Sequence, residues 1–543
     1  MATYQLDANR FMSLFYAGAA TLEANKAWIN DLNVFPVPDG DTGTNMTMTV
    51  TSAVKELEKV ADANMQTVAK SISFGSLRGA RGNSGVILSQ LLRGFCKIAQ
   101  SAESLDAAVI GDAVTRAVET AYKAVMKPKE GTILTVSRGI AEKWNELCAD
   151  EKDIEVLMEK VLAYGDEVLE HTPELLPVLK EAGVVDSGGS GLMMFLKGAY
   201  ACLMGRDLPI PEEPGAEEET PFAYDLSFEL FRGEAFSNQQ LSELKAYMEM
   251  QGDCVVLDFE APVASGSLKT DEPGLVLQKA LNYGELLNVK LVNRQHEMLQ
   301  PEKTEKPEEA EETTVPEAEW KDYGFIAASV GEGLSEIFLS LGVDQMVEGG
   351  QTMNPSTEDM LKALALVPAR TVFILPNNKN IILAAEQAAV LTKNKKVVVV
   401  PTTTIPEGIT MMLNFNPEAS PEENLEQMKE ALPTVKSGEV TYAVHNAKIA
   451  GKEIREGDLM GLGGPEGLYC VGRDRKTVTE DMVAAMMHEL SDDAGVISVY
   501  YGAGIEEAEA QELADDLARI YDFCDVELHF GGQPVYYFIV SVE

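Results

Sequence analysis

The chain has 543 residues; at a soft scale of about 150 residues per domain, this excludes a single core and implies three or four domains. Its 45% hydrophobic and 7% aromatic content is that of globular protein and excludes wholesale disorder. Forty-four Lys+Arg against 87 Asp+Glu leave a formal charge of −43, a field that repels nucleic-acid backbones and anionic lipid surfaces and requires any nucleotide substrate to arrive with cations, most simply Mg²⁺.

The opening MATYQLDANRF places Asp7 where a secretory signal would be apolar. The most apolar run, GLMMFLKGAYACLMG, is interrupted by Lys197 and falls short of about 20 spanning residues. The six cysteines (Cys96, Cys148, Cys202, Cys254, Cys470 and Cys524) form no C-x-x-C pair, which suits a reducing compartment. A cytoplasmic protein with no integral membrane segment is expected.

Helical spacing begins with Phe11, Leu14, Phe15, Ala19 and Leu22, and continues with Met46, Val50, Ala53, Val54, Leu57 and Val60 on one stripe. Further helices are predicted at 86–99, 105–126, 132–149, 153–169, 173–182 and 191–204. About eight helices over 1–206 make an all-α domain. Pro, Gly and Glu then crowd residues 206–225, which reads as a linker. Over 222–298 the order is FAYDLSFELF (strand), SNQQLSELKAYMEMQG (helix), CVVLDF and GSLKT (strands), DEPGLVLQKALNYGEL (helix) and NVKLVNRQ (strand). This β-α-β-β-α-β order predicts a small α+β ferredoxin-like middle domain. Residues 299–320 are a second, acidic linker, read as a solvated spacer in preference to a docking tail. From 321 to 543, strands such as FIAASV, TVFILP and KVVVVP alternate with helices, which predicts an α/β domain with a largely parallel sheet. The fold class is therefore multidomain: all-α, then α+β, then α/β.

The sharpest chemical signal is NVFPVPDGDTGTNMTMTV. Asp39 and Asp41 flank Gly40, so two carboxylates on a glycine-permitted bend can converge on one cation, with Pro36 and Pro38 stiffening the approach. Thr42, Gly43, Thr44 and Asn45 open the next helix, where hydroxyls and bare amides form an anion site. An Asp-Gly turn with a polar cap is the bland alternative. Two further glycine-rich helix starts repeat the theme, GSLRGARGNSGVILSQ with Asn83 or Ser84 as cap and Gly85 behind it, and VVDSGGSGLMMF with Asp186, Ser187 and Gly188. KPKEGTILTVS adds Gly131 and Thr132. Each alone reads equally as close helix packing; together they look like convergent phosphate-cradling loops. Arg78 and Arg81 are candidate cations for a transferring phosphoryl group, or simply solvated. No P-loop, Rossmann or protein-kinase motif is present, so nucleotide chemistry would use another architecture.

On these residues the first segment resembles the nucleotide-binding L subunit of dihydroxyacetone kinases, a barrel of eight amphipathic helices with Mg-nucleotide at its mouth. NVFPVPDGDTGTNM with GARGNSG and VDSGGSG resembles more closely the three-domain fatty acid kinase ATP-binding subunit of bacteria, as do GGQTMNPSTEDML, LPNNKNIILAA and PTTTIPEG in the third segment. The resemblance implies that Asp39 and Asp41 bind the metal and are catalytic; where L subunits carry a third aspartate the register offers Val34 or, with one insertion, Asn33, whose side-chain oxygen is the candidate further ligand. It implies nucleotide contacts from Thr42, Gly43, Thr44, Asn45, Asn83, Ser84, Gly85, Gly131, Thr132, Asp186, Ser187 and Gly188. L subunits have a histidine where Thr42 stands, so the phosphate contacts differ there. Related middle domains carry a His-x-His pair and a nearby Cys able to bind zinc; here Cys254 is present but Ser267-Leu268-Lys269 precedes Thr270, and His296 reads as a surface residue. A lone cysteine cannot close a tetrahedral site, so no zinc is expected.

The implied cofactors are ATP and Mg²⁺, and the implied reaction is phosphorylation of a fatty acid substrate held by a separate fatty-acid-binding protein subunit, giving acyl phosphate and ADP. A fatty carboxylate has a pKa of about 4–5 and needs no general base, and none of His171, His296, His445, His488 and His529 lies in the candidate loops. His445 reads as an ordinary strand histidine. The resemblance also implies that the third domain engages the lipid-carrying partner, and that the middle domain supports a homodimer. Asn354, Asn377 and Asn378 fall in polar loops after strands, where α/β folds bind ligands or simply turn. A dihydroxyacetone-type triose kinase subunit is the alternative, with a non-catalytic nucleotide-binding regulatory scaffold as a third reading.

Overall fold

The structure, a computed structural model, describes the chain apart from residues 1–2, 35–39, 126, 209–223, 232–243, 246, 249–250, 261–262, 282, 294–319, 351–353, 444–446, 450–451, 465–466 and 491–493. Asp39, Pro36, Pro38, His296 and His445 lie outside the described residues, as do the side chain of Cys254 and most of the helix expected from SNQQL. Met1–Ile210 and Thr314–Glu543 make one compact unit, and Pro211–Thr313 a second.

Among its described residues, the N-terminal part of the first unit contains eight long helices: α1 (Ala8–Ala24), α3 (Thr42–Leu57), α4 (Met65–Arg78), α5 (Gly82–Ala99), α6 (Ala107–Ala124), α7 (Ile133–Leu147), α8 (Ile154–Glu170) and α11 (Ser187–Met204). The short α2 (Lys26–Asp31), α9 (Thr172–Leu175) and α10 (Pro177–Ala182) lie between them. From α3 to α8 each long helix packs on the next; α8 packs on α11, α11 on α1 and α1 on α3, which closes the ring. Polar caps set the starts: Asp7, Asp106, Asp153 and Asp186 each accept a backbone N–H from their own first turn. The expected stripe is buried at Met46, Val50, Ala53 and Leu57, where α3 ends, so Val60 lies beyond the helix. Small residues let helices approach closely: a Cβ on Gly94 would lie 2.6 Å from Ala117 Cα, and one on Gly198 would lie 2.3 Å from Thr21 Oγ1.

Two readings of the helices need correction. The expected helix at 173–182 is split, because Leu176 precedes Pro177 and takes extended backbone (φ −128°, ψ 98°). Helix α4 is absent from the predicted helices, although its buried Met65, Val68, Ala69 and Ile72 fall at helical spacing. Its start is nevertheless written in the sequence: Asn64 Oδ1 accepts from Thr67 N at 3.0 Å, and Thr67 Oγ1 accepts from Asn64 N at 3.0 Å. Asn64→Ala is expected to cost about 1 kcal/mol in urea denaturation of the helical domain; an unchanged midpoint would mean that the cap is fully replaced by water.

The second unit holds an antiparallel sheet of order β2-β3-β1-β4, with β1 Tyr224–Phe231, β2 Gly252–Glu260, β3 Val263–Thr270 and β4 Glu285–Asn293. Leu226, Phe228, Leu230, Ala264 and Leu268 pack with Val276 and Ala280 of the helix Pro273–Ala280.

The C-terminal part of the first unit contains two sheets, where a largely parallel one was expected. The first is parallel, of order β6-β5-β7-β8, from Lys321–Ser329 (β5), Gln345–Glu348 (β6), Ala369–Leu375 (β7) and Lys396–Val399 (β8). Helices return the chain between its strands, as the alternation predicted. The second has order β13-β12-β9-β16-β14-β15, and only its β14–β15 pair is parallel. Its strands are Lys436–Tyr442 (β9), Leu459–Gly463 (β12), Leu468–Gly472 (β13), Val496–Tyr501 (β14), Asp525–Phe530 (β15) and Phe538–Val542 (β16), and a small hairpin, Ala447–Ile449 (β10) with Lys452–Ile454 (β11), stands apart. Strands β12 and β13 carry Gly461, Gly463 and Gly472, which weaken the strand signal in sequence.

Candidate nucleotide and metal site

Helix α3 begins at Thr42, directly after the acidic bend. Gly40 has φ +62°, a left-handed value that a side chain would strain. Asp41 occupies the N-cap position, yet its carboxylate makes no capping bond to its own helix. Asn30 of α2 supplies part of the missing cap, since its Oδ1 accepts from Thr44 N at 3.1 Å and its Nδ2 donates to Thr44 Oγ1 at 3.0 Å. The two helices meet so closely that a Cβ on Gly43 would lie 2.2 Å from Lys26 O.

The other predicted loops converge on this point. A Cβ on Gly82, where φ is +56°, would lie 2.4 Å from Asn45 Nδ2, and one on Gly85 would lie 2.4 Å from Thr49 Oγ1, which sets the start of α5 against α3. Ser187 Oγ donates to Thr42 Oγ1 at 3.2 Å, which joins α11 to α3. Asp186 Oδ2 accepts from Gly189 N at 2.7 Å, the same carboxyl accepts from Ile133 N, and a Cβ on Gly188 would lie 3.3 Å from Ile133 Cβ, so α7 also joins the cluster. Gly131 and Thr132 immediately precede α7, and Gly131 N donates to Thr135 Oγ1 at 2.9 Å. Thus the starts of α3, α5, α7 and α11 are brought together. In α3, α5 and α7 the N-cap residue's own side chain makes no capping bond. The cap expected from Asn83 or Ser84 is not made, because α5 starts at Gly82 with Arg81 at the N-cap position and both residues lie inside its first turn. Helix N-termini gathered in this way present their remaining N–H groups and the positive ends of helix dipoles, the chemistry of a phosphate site.

Asp186 is deeply buried, and burial pushes its carboxyl up to about 6, against the lowering effect of the Gly189 and Ile133 N–H groups. Arg78 and Arg81 are drawn elsewhere than the cradle: Arg78 pairs with Glu358 at 2.8 Å and Arg81 with Asp359 at 3.4 Å. Asn83 Nδ2 donates to Asn380 Oδ1 at 2.9 Å. These partners belong to the α/β part, which docks on the loop between α4 and α5 through an antiparallel bridge between Arg81 and Ser356 and a bond from Thr357 N to Ala80 O at 3.0 Å. Ala80, Val86 and Ala384 form an apolar patch at the same contact.

This docking brings in a residue that sequence reasoning placed only in a polar loop. Asn354 is 2% exposed, and its Nδ2 donates to Asp41 Oδ2 across 313 residues of sequence. Asn377 stays within its own domain, donating from Nδ2 to Ala328 O at 2.9 Å. The local motif GGQTMNPST contains no feature that singles out Asn354, since its partner is set by domain docking.

The residues suit a hard cation beside a nucleotide. Asp41 offers a carboxylate, Asn33 is buried just before residues 35–39, and Asn354 Oδ1 is a buried carbonyl oxygen with no hydrogen-bond partner among the described residues. Oxygen donors of this kind fit Mg²⁺, which takes one or two carboxylates and fills its remaining positions with phosphate and water. Among the described residues no group of three or more His, Cys, Asp or Glu forms a cluster typical of all-protein metal cages. None of their helices is long and apolar enough to cross a membrane.

Residues 36–201 match the DAK2 domain, and residues 324–543 match the C-terminal domain of the FakA-like fatty acid kinase family. Protein YloV of Bacillus subtilis (strain 168) is 38% identical over 563 residues, covering all of both chains. The uncharacterized protein SAR1202 of Staphylococcus aureus (strain MRSA252) is 38% identical over 559 residues, covering 99% of this chain and 100% of that one. Among solved structures, the dihydroxyacetone kinase from C. freundii in complex with AMP-PNP and Mg²⁺ aligns with 37% of this chain and 35% of its own, at 16% identity and a TM-score of 0.29. The Streptococcus pneumoniae fatty acid kinase B3 protein loaded with linoleic acid aligns with 41% and 99%, at 13% identity and a TM-score of 0.28. Scores this low add nothing to the sequence matches. With both family domains on one chain and relatives alike over their full length, the chain belongs to the FakA-like fatty acid kinase family, a kinase family whose N-terminal domain is of the DAK2 type.

Proposed function

We propose that the chain is the ATP-binding, catalytic subunit of a fatty acid kinase. A carboxylate oxygen of the fatty acid attacks the γ-phosphorus of ATP, the bond from that phosphorus to the β-phosphate oxygen breaks, and acyl phosphate and ADP result. The observation that carries this reading is the convergence beside Asp41 of three helix starts whose own N-cap side chains make no capping bond and one start capped by Asp186. Residues Thr42 to Asn45, Asn83 to Gly85, Gly131 to Thr132 and Asp186 to Gly188 would line the nucleotide, with the N–H groups of Thr44, Asn45 and Gly131 already bonded within the protein, and the Asp186 carboxyl fixes two of these starts relative to each other. Asp39, Asp41 and Asn33 would hold Mg²⁺, which supplies charge neutralisation for an anion approaching a polyanion. The nucleophile is ionised at neutral pH, so the cradle needs no histidine.

Family membership supports an acyl chain presented by a separate fatty-acid-binding protein and a cytoplasmic setting. The closed ring of eight long helices supports an eight-helix barrel for 1–206, and the order β2-β3-β1-β4 supports a ferredoxin-like middle domain at 222–298, which in this reading serves homodimer formation. The test is ATP consumption by the purified chain with oleate, with and without its lipid carrier. ADP release that requires both oleate and carrier is expected; release driven instead by dihydroxyacetone with a triose-binding subunit would replace this function with the triose kinase.

A further inference from the structure

We propose that Asn354, carried by the C-terminal α/β domain, is a positioning residue of the metal–nucleotide site: its amide N–H holds the Asp41 carboxylate, and its amide oxygen serves the cation or a water bound to it. The inference rests on reading the Asp41 bend as a Mg-nucleotide site. Three observations carry it. An aspartate at an N-cap position ordinarily accepts the N–H groups of its own first turn, but the Asp41 carboxylate makes no such bond and is held by Asn354 Nδ2 instead. The amide must present its nitrogen to a carboxylate, so the orientation of its oxygen is fixed, and that oxygen is buried with no partner among the described residues. A buried carbonyl without a partner is costly, and a cation or its water would satisfy this one.

The placement of Asn354 is also over-determined. Arg81 Nη1 donates to Asn354 O at 2.8 Å, and Ser356, two residues on, pairs with Arg81 and caps the helix Thr357–Leu366. A Cβ on Gly82 would lie 3.4 Å from Asn354 Nδ2 and 2.4 Å from Asn45 Nδ2. The loop that opens α5 therefore fixes Asn354 and touches Asn45 at once.

The test is Mg²⁺-dependent binding of N-methylanthraniloyl-ATP to the full chain, read by fluorescence at fixed nucleotide. Asn354→Ala is expected to raise the Mg²⁺ concentration for half-maximal binding about tenfold. Gln387→Ala removes another contact of the same docking face, Gln90 Nε2 to Gln387 Oε1 at 2.7 Å, and is expected to leave that concentration unchanged. Asn354→Asp sets a second carboxylate against Asp41, so its unfolding midpoint should fall without Mg²⁺ and recover with Mg²⁺ by more than the wild type gains. Equal shifts in Asn354→Ala and Gln387→Ala, or an Asn354→Asp chain indifferent to Mg²⁺, would overturn the proposal. So would a wild-type response of Asn354→Ala in a chain whose Mg²⁺ dependence Asp41→Asn abolishes. If Asp41→Asn itself leaves that dependence intact, the reading of the bend fails first and takes this inference with it.

Discussion

Asp41→Asn is expected to lower ATP turnover by a factor on the order of 10² or more while leaving the unfolding midpoint of the chain nearly unchanged. The two halves of that expectation have separate causes. Stability is spared because the Asp41 carboxylate does not cap α3, and an asparagine there keeps an oxygen able to accept from Asn354 Nδ2. Turnover falls because the substitution removes a unit of charge next to a divalent cation. At about 4 Å and an effective dielectric constant of about 20, one unit charge pair is worth about 4 kcal/mol, more than the roughly 3 kcal/mol that separates rates a hundredfold apart. Wild-type turnover in a folded Asp41→Asn chain would remove the metal from this bend. A chain that loses both turnover and its midpoint would instead assign Asp41 to the fold.

Where a site is built from backbone at helix starts, the sequence announces it locally. Gly43, Gly82, Gly85 and Gly188 each stand where a Cβ would press on a neighbour, and such requirements show as glycine beside Thr, Asn or Asp. The starts of α3, α5, α7 and α11 were legible for that reason, as was the parallel β5–β8 sheet from its apolar strands and returning helices. What stayed hidden depends on tertiary docking. Arg78 and Arg81 look like phosphate-binding cations in GSLRGARGNSG, but Glu358 and Asp359 hold them from a distant part of the chain. Asn354 has no signature beyond a polar loop, because its partner is chosen by the antiparallel contact of Arg81 with Ser356. In the second sheet the runs EVTYAVHN, GVISVYYG, VELHF and YYFIVSVE are legible as strands, but glycines in β12 and β13 dilute the pattern there, and antiparallel pairing of β9, β12, β14 and β16 cannot be told from parallel pairing by apolar runs alone.

The contribution of Asp186 to the stability of the helical domain should fall as pH rises from about 4 to about 7, and Asp186→Asn should remove that component. Asp186 is buried between the starts of α7 and α11, and burial pushes its carboxyl from an ordinary 3.8 up to about 6. A carboxyl raised in the folded state binds its proton more tightly there than in the unfolded chain. Its favourable contribution is therefore fully present below about pH 4 and is lost as pH rises through about 6. A difference of about two pKa units corresponds to about 3 kcal/mol, large against the roughly 1 kcal/mol of an ordinary cap. Asparagine keeps an oxygen for the Gly189 or Ile133 N–H but cannot titrate, and its own NH₂ would face donors, so the variant need not be more stable in absolute terms at any single pH. The decisive quantity is the difference between wild type and variant, followed across pH by urea unfolding at the fluorescence of Trp144, buried in this domain. That difference should shift by about 3 kcal/mol toward the variant between pH 4 and pH 7. Parallel curves would mean that Asp186 ionises as easily in the fold as in water. The helix starts would then carry no strained carboxyl of the kind that gathers at functional sites.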